Sequence, residues 1–279
     1  MALTNSEDLA DGISSDEYLE KHHVLMYVED AIGQLLEYKD ENAKVISSKF
    51  LGDYFRSVHQ GAHILFRDYD FIQATPYNRS CFIKCVWNCF RHIANHGELL
   101  SIKEYHSLLC LLCHDFPLDM VQRTARIVLM DDALDCLISF TDFLYAFQIQ
   151  FYYEDYINAC KEPYDNLLSG VTVFVPSTDN WQQSQPSNLQ TDHDSKHNEG
   201  VNSQSLYDAM EKTCLKLSSN TPRPSLQHLH DELCKPPRIT FYSLLMAMSK
   251  NDDINNEIGF LPNRDSVLEG NDADIIIRH

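Results

Sequence analysis

Apolar residues recur at three- and four-residue steps along most of this chain, and the segments between those runs are only a few residues long. That pattern leaves room for packed helices and none for strands. Tyr18, Leu25, Val28, Ile32 and Leu35 mark one face of a helix from about Asp16 to Tyr38, and Ser14, Ser15, Asp16 and Glu17 suit its N-terminus. After a polar turn at Lys39–Lys44, a second helix carries Phe50, Leu51, Tyr54, Phe55 and Val58 on one face and ends near Gly61. Ile64–Pro76 is aromatic and irregular. Thr75-Pro76 opens a helix over about Asn78–Ala94, which Asn95-His96-Gly97 breaks. Further helices are expected over about Ser101–Cys113, Leu118–Met130 and Ser139–Cys160. With 9 glycines in 279 residues, the chain lacks the turn chemistry of an all-β fold.

The composition changes near Gly170. Val171–Val175 reads as a short extended piece, and Pro176–Ser203 has too few apolar residues to offset its own ordering entropy. Three short helices follow at Leu206–Leu217, Ser225–Cys234 and Thr240–Lys250. The remainder, Asn251–His279, reads as an acidic tail. The expected segments are a flexible lead (1–15), a helical hairpin (16–62), a helical core (63–168), a disordered linker (169–204), C-terminal helices (205–250) and the tail (251–279).

A net charge of −19 and a pI near 4.9 set the chain against phosphate backbones, anionic membrane surfaces and the acidic tails of tubulin. Nucleic acid is therefore not expected, and membrane insertion is not expected because no apolar run approaches the roughly 20 residues a span needs. The N-terminus lacks the basic start and apolar run of a secretory signal. The nine cysteines form no disulfide framework and read as buried thiols in a reducing cytoplasm.

Several motifs carry chemical suggestions. Asp131–Asp142 follows a helix as an EF-hand loop would, with Asp131, Asp135 and Asp142 at ligand positions one, five and twelve and Ile138 at the pairing position eight. Ala133 at position three and Cys136 at position six remove a ligand and the sharp turn. Upstream, Leu100 and Glu104 fall at positions eight and twelve, but Ile93 at position one cannot ligate. The pair reads as a degenerate EF-hand-like core with no metal assigned. Cys110-Leu-Leu-Cys113-His114 matches a haem-attachment spacing but sits on an apolar helix outside any export context. Cys81, Cys85 and Cys89, with His92 and His96 beyond, form a helical stripe rather than a zinc knuckle. No phosphate loop, nucleophile elbow or His-Glu-x-x-His helix occurs, so neither enzyme nor cofactor is expected.

The N-terminal pair of amphipathic helices cannot bury both its faces alone. It suits a dimerisation-docking module whose helices receive a partner's amphipathic helix. Leu25, Val28, Ile32 and Tyr54 are the candidate partner-binding residues. The expected fold is thus all-α: a helical bundle with a dimerisation-docking-like hairpin, a degenerate EF-hand-like helix pair, a disordered linker and an acidic tail.

Several longer strings recur together. They are Tyr18–Ala31, Gly61-Ala-His-Ile-Leu-Phe-Arg67, Phe71-Ile-Gln-Ala-Thr-Pro76, Ala125–Ala133, Asp142–Tyr153 and Thr240–Lys250. Over about 18–170 and again 205–262 the chain closely resembles the centriolar satellite-associated tubulin polyglutamylase complex regulators. The resemblance implies a non-catalytic adaptor or regulator of microtubule polyglutamylation at centriolar satellites, centrosome and cilia. Its implied partners are subunits of the polyglutamylase complex and satellite scaffold proteins, with tubulin reached indirectly. It implies no catalytic residue. A calcium-responsive EF-hand-like binding protein is the alternative.

Overall fold

The computed structural model describes residues 14–41, 44–130, 136–170, 200–259, 261, 262 and 264. Among these the chain is helical apart from two pairs of two-residue strands, and it divides into two units. The first comprises residues up to Val86 together with Ser107–Phe116, and the second comprises Trp87–His106 and the chain from Pro117 onward.

In the first unit, helix α1 (Ser15–Lys21) starts where Ser14 accepts a hydrogen bond from the Glu17 N–H. The single helix expected to Tyr38 is corrected here. His22-His23 interrupts it, with His23 at φ +51°, and α2 (Val24–Glu41) begins anew. Histidine tolerates the left-handed region better than most side chains, which lets the chain turn without glycine. Helix α3 (Ser47–Gln60) ends at Gly61 in the left-handed conformation. Helices α2 and α3 pack through Tyr27, Ala31, Tyr54 and Val58, with Leu51 and Tyr77 against them. A short α4 (Tyr69–Gln73) lies in the stretch expected to be irregular, and α5 (Pro76–His96) opens at the predicted proline.

The second unit is built on β1 (Leu99–Leu100), the start of α6 (Ile102–Cys110), α7 (Leu118–Leu129), β2 (Ile138–Ser139), α8 (Phe140–Tyr152) and α9 (Glu154–Ser169). Helix α8 is buried from Phe140 through Phe151 except at Asp142, with Thr141, Gln148 and Gln150 buried among its apolar residues. Phe143, Phe147 and Phe151 stack at four-residue steps, and Tyr105 lies 3.8 Å from Phe143 between ring centres. The expected helix Ser139–Cys160 is also corrected: it breaks at Tyr153. Glu154 and Asp155 supply a fresh acidic N-terminus to α9, and Arg123 holds the Glu154 carboxylate at 2.8 Å.

The absence of strands is corrected too. Leu100 pairs with Ile138, and Leu99 with Ser139, in an antiparallel ladder. A second ladder joins β3 (Val201–Asn202) to β4 (Arg238–Ile239). Each strand ends in a residue that caps the next helix, or abuts one. Ser101 and Ser139 cap α6 and α8, Asn202 caps α10 (Ser203–Lys216), and Thr240 caps α12 (Phe241–Lys250). The same local unit therefore occurs four times: an apolar pairing residue, a polar cap, then Glu104, Asp142, Ser205 or Ser243 three residues after the cap. Helix α11 (Leu226–Leu233) completes the second pair.

Gly200, at φ +67°, precedes β3. A Cβ there would meet the Ile239 carbonyl carbon and oxygen at 2.4 Å, so the close approach of the two chains requires glycine. The Val171–Val175 strand and nearly all of the linker lie outside the described residues. The tail reading is corrected at its start, because α13 (Asp252–Ile258) is a helix capped by Asn251 and closed by Gly259. Its Ile254 and Ile258, four residues apart, enter the core formed with Ile149, Leu206, Leu229, Leu244 and Met248.

Candidate partner-binding site

The spacing of α2 sorts its side chains onto two faces. Tyr27, Ala31 and Leu35 face inward. Leu25 is 55% exposed, Ile32 47% and Leu36 59%, and Glu29 is exposed on the same stripe. Gly33 lies beside them with nothing within 4 Å of where a Cβ would stand, so a partner's backbone could approach closely. Val28 is half-buried. Tyr54 is buried rather than presented to solvent. The structure thus puts Leu25 and Ile32 on one open stripe and Tyr54 beneath it. Leu36 and Gly33 were not singled out from sequence, although the steps 25, 29, 32, 36 carry the signal.

A polar anchor holds this hairpin. The Arg67 guanidinium donates to both Asp30 carboxylate oxygens at 2.6 and 2.9 Å. The Tyr54 hydroxyl donates to Asp30 Oδ2 at 2.6 Å, and Gln34 Nε2 donates to the same oxygen at 2.8 Å. Burial works against charge on Asp30, but the bonds from Arg67 and Tyr54 outweigh it and hold the carboxyl below its ordinary pKa. Burial, then the hydrogen bond to Asp30, pushes the Tyr54 phenol well up. Arg67 also lies over the Phe71 ring at 3.7 Å.

Deeper in, Tyr27 donates to Asn78 Oδ1 at 2.8 Å, and His63 Nε2 lies 2.7 Å from the same oxygen. Asn78 Nδ2 donates to the Phe71 carbonyl. Burial raises the Tyr27 phenol to about 12 and lowers the His63 imidazole, so both are neutral near pH 7. This network ties α2 to the 63–78 segment through groups that a shift of α2 would strand without partners.

The other sequence candidates are placed as follows. Asp131 and Asp135 lie outside the described residues. Asp142 accepts from the Ser139 hydroxyl at 2.7 Å and pairs with Arg264. Glu104 accepts from the Ser101 N–H and hydroxyl, both at 2.7 Å. Both position-twelve carboxylates thus bond the residue that caps their own helix. Cys81 is buried and its thiol is pushed up to about 11, whereas Cys89 is exposed. Burial and the Asp115 carboxylate raise the Cys113 thiol to about 12. Among the described residues, the metal-ligating side chains that converge are Asp68, His114 and Asp115, all exposed, rather than the cysteine stripe. A cleft near β3, lined by Asn202, Gln204, Tyr207, Cys234 and two prolines among others, offers no carboxylate. No helix among the described residues is long and apolar enough to cross a membrane.

The hairpin coincides with a family model described as the CSTPP1 N-terminal domain, which matches residues 12–61. Over 255 residues the chain is 46% identical to the centriolar satellite-associated tubulin polyglutamylase complex regulator 1 of Homo sapiens, covering 90% of this chain and 76% of that protein. The Pongo abelii protein of the same name matches equally, and the Danio rerio protein is 44% identical over 260 residues, with 92% and 77% covered. This chain belongs to that regulator family. No solved structure matches it. The open stripe of α2 and its Asp30–Arg67 anchor are therefore features of a chain in the centriolar satellite-associated regulator family. The Asp30 end of the anchor falls within the matched N-terminal domain and Arg67 just beyond it.

Proposed function

We propose that this chain is a non-catalytic adaptor that regulates a tubulin polyglutamylase complex in the cytoplasm, at centriolar satellites, centrosome and cilia. The observation that carries the reading is the solvent-facing stripe Leu25–Ile32–Leu36 on a hairpin within a family whose members are named for that complex. The stripe is the proposed contact, with Val28 at its edge and Tyr54 fixing it from below through Asp30. Glu29 lies on it, and Glu37 and Asp40 are exposed farther along α2, so the matching surface is an amphipathic helix that also carries basic residues. Contact with tubulin runs through the complex, because a −19 chain repels acidic tails.

Incorporation of labelled glutamate into tubulin, with ATP, tests the reading. The chain alone should incorporate none, and adding it to purified polyglutamylase complex should change the rate or the site of modification. Incorporation by the chain alone would replace the adaptor with an enzyme. No effect on the complex, together with no binding to it, would remove the regulatory reading.

A further inference from the structure

Three residues other than glycine adopt positive φ among the described residues: His23, Phe66 and Met130. His23 makes the turn between α1 and α2, and Met130 caps α7. Phe66, at φ +59°, ends no helix. A bulky aromatic is a poor occupant of that region, and such strain persists only where the surroundings fix it. Here they do. Ile64 is fully buried, the Phe66 N–H donates to the Leu112 carbonyl at 3.1 Å, and Arg67 is clamped onto Asp30. The result holds the ring outward, 77% exposed, on a backbone tied down on both sides.

Leu65 is exposed beside it, and so is Leu111, next to the carbonyl that fixes Phe66. Exposed carboxylates border this apolar group. Asp68 and Asp115 converge with His114, their ligand atoms within 4.8 Å of one another, and Asp70 lies nearby on α4. Arg67, the neighbouring cation, is committed to Asp30. His114 Nδ1 lies 3.8 Å from Asp68 and 3.9 Å from Asp115, but it is one imidazole among three carboxylates, so the border stays acidic and, with the exposed ring, is complementary to an apolar pocket rimmed by cations.

We propose that Phe66, with Leu65 and Leu111, is an anchor that inserts into an apolar pocket rimmed by lysine or arginine on a protein partner, with Asp68 and Asp115 meeting the rim. This surface is carried by residues 65–68 and 111–115 rather than by the α2 stripe, and the inference rests on the adaptor reading for its probe, the purified tubulin polyglutamylase complex. Acidic tubulin tails carry the wrong sign to fill the role.

The test uses the full chain carrying Phe66→Gly. Glycine takes this φ without strain, so the variant should melt at or above the wild-type temperature, while its affinity for the complex should fall by about tenfold or more. Asp68→Asn with Asp115→Asn should slow association and flatten its salt dependence. Wild-type affinity in Phe66→Gly would overturn the anchor and leave the adaptor reading standing. Failure of the wild type itself to bind the complex would take down both. A clear drop in melting temperature would assign the ring to structure and overturn the anchor. Binding abolished by a chelator would give the carboxylates to a metal ion and overturn their role at the rim.

Discussion

Asp30 gathers the polar contacts of the N-terminal hairpin: two from Arg67, one from Tyr54 and one from Gln34. Its side chain is 15% exposed and that of Arg67 27%, so removing one partner leaves a poorly solvated charge. Arg67→Ala should cost about 2–4 kcal/mol in urea unfolding, whereas an exposed pair such as Arg56–Asp53 should contribute under about 1 kcal/mol. Equal effects at the two sites would contradict the anchor. His63 gives the same region a pH dependence. Burial lowers its pKa from 6.5, so below about pH 6.5 the unfolded chain takes up a proton that the folded chain refuses. Stability should fall on acidification from that point, by up to about 1.4 kcal/mol per pH unit. Unfolding free energies measured between pH 7 and 5.5 check this, and His63→Gln should flatten the slope over that range.

At the scale of elements, two antiparallel strand pairs join segments of the second unit, and Gly200 lies where the approach of Ile239 leaves no room for a Cβ. Gly200→Ala should destabilise the unit by about 2–4 kcal/mol, since both the left-handed φ and the 2.4 Å contact oppose a Cβ. Calorimetry checks this, and an unchanged transition would mean the β3–β4 approach is loose. Much of this level was legible in the sequence. The apolar steps located most helices, and the loop spacing aligned Leu100 with Ile138, which lie opposite one another. The second ladder was not, because Val201-Asn202 adjoins a polar stretch and Arg238-Ile239 follows two prolines, so neither reads as a pairing site alone. The breaks at His22-His23 and Tyr153 carry no glycine or proline, so the residue types that usually mark a helix end are missing there. Helix α13 was missed because two isoleucines among acidic and amide residues look solvated until the core that receives them is known. At the candidate site, periodicity identified Leu25 and Ile32 but could not tell which face of the hairpin packs inward, so it grouped the buried Tyr54 with them.

For the whole molecule, strong negative charge, the open apolar stripe and the family relationship argue for work done by binding. A net charge of −19 opposes contact with acidic polymers and favours basic partners, and association with such partners should weaken with salt. The outer face of α2 is the proposed contact with the polyglutamylase complex. Its most direct test is the affinity of the full chain for the purified complex, by calorimetric titration, for wild type and for Leu25→Glu with Ile32→Glu. A loss of about a hundredfold or more is expected, with the melting temperature unchanged, because both side chains face solvent in the free chain. Wild-type affinity in the double variant would contradict it.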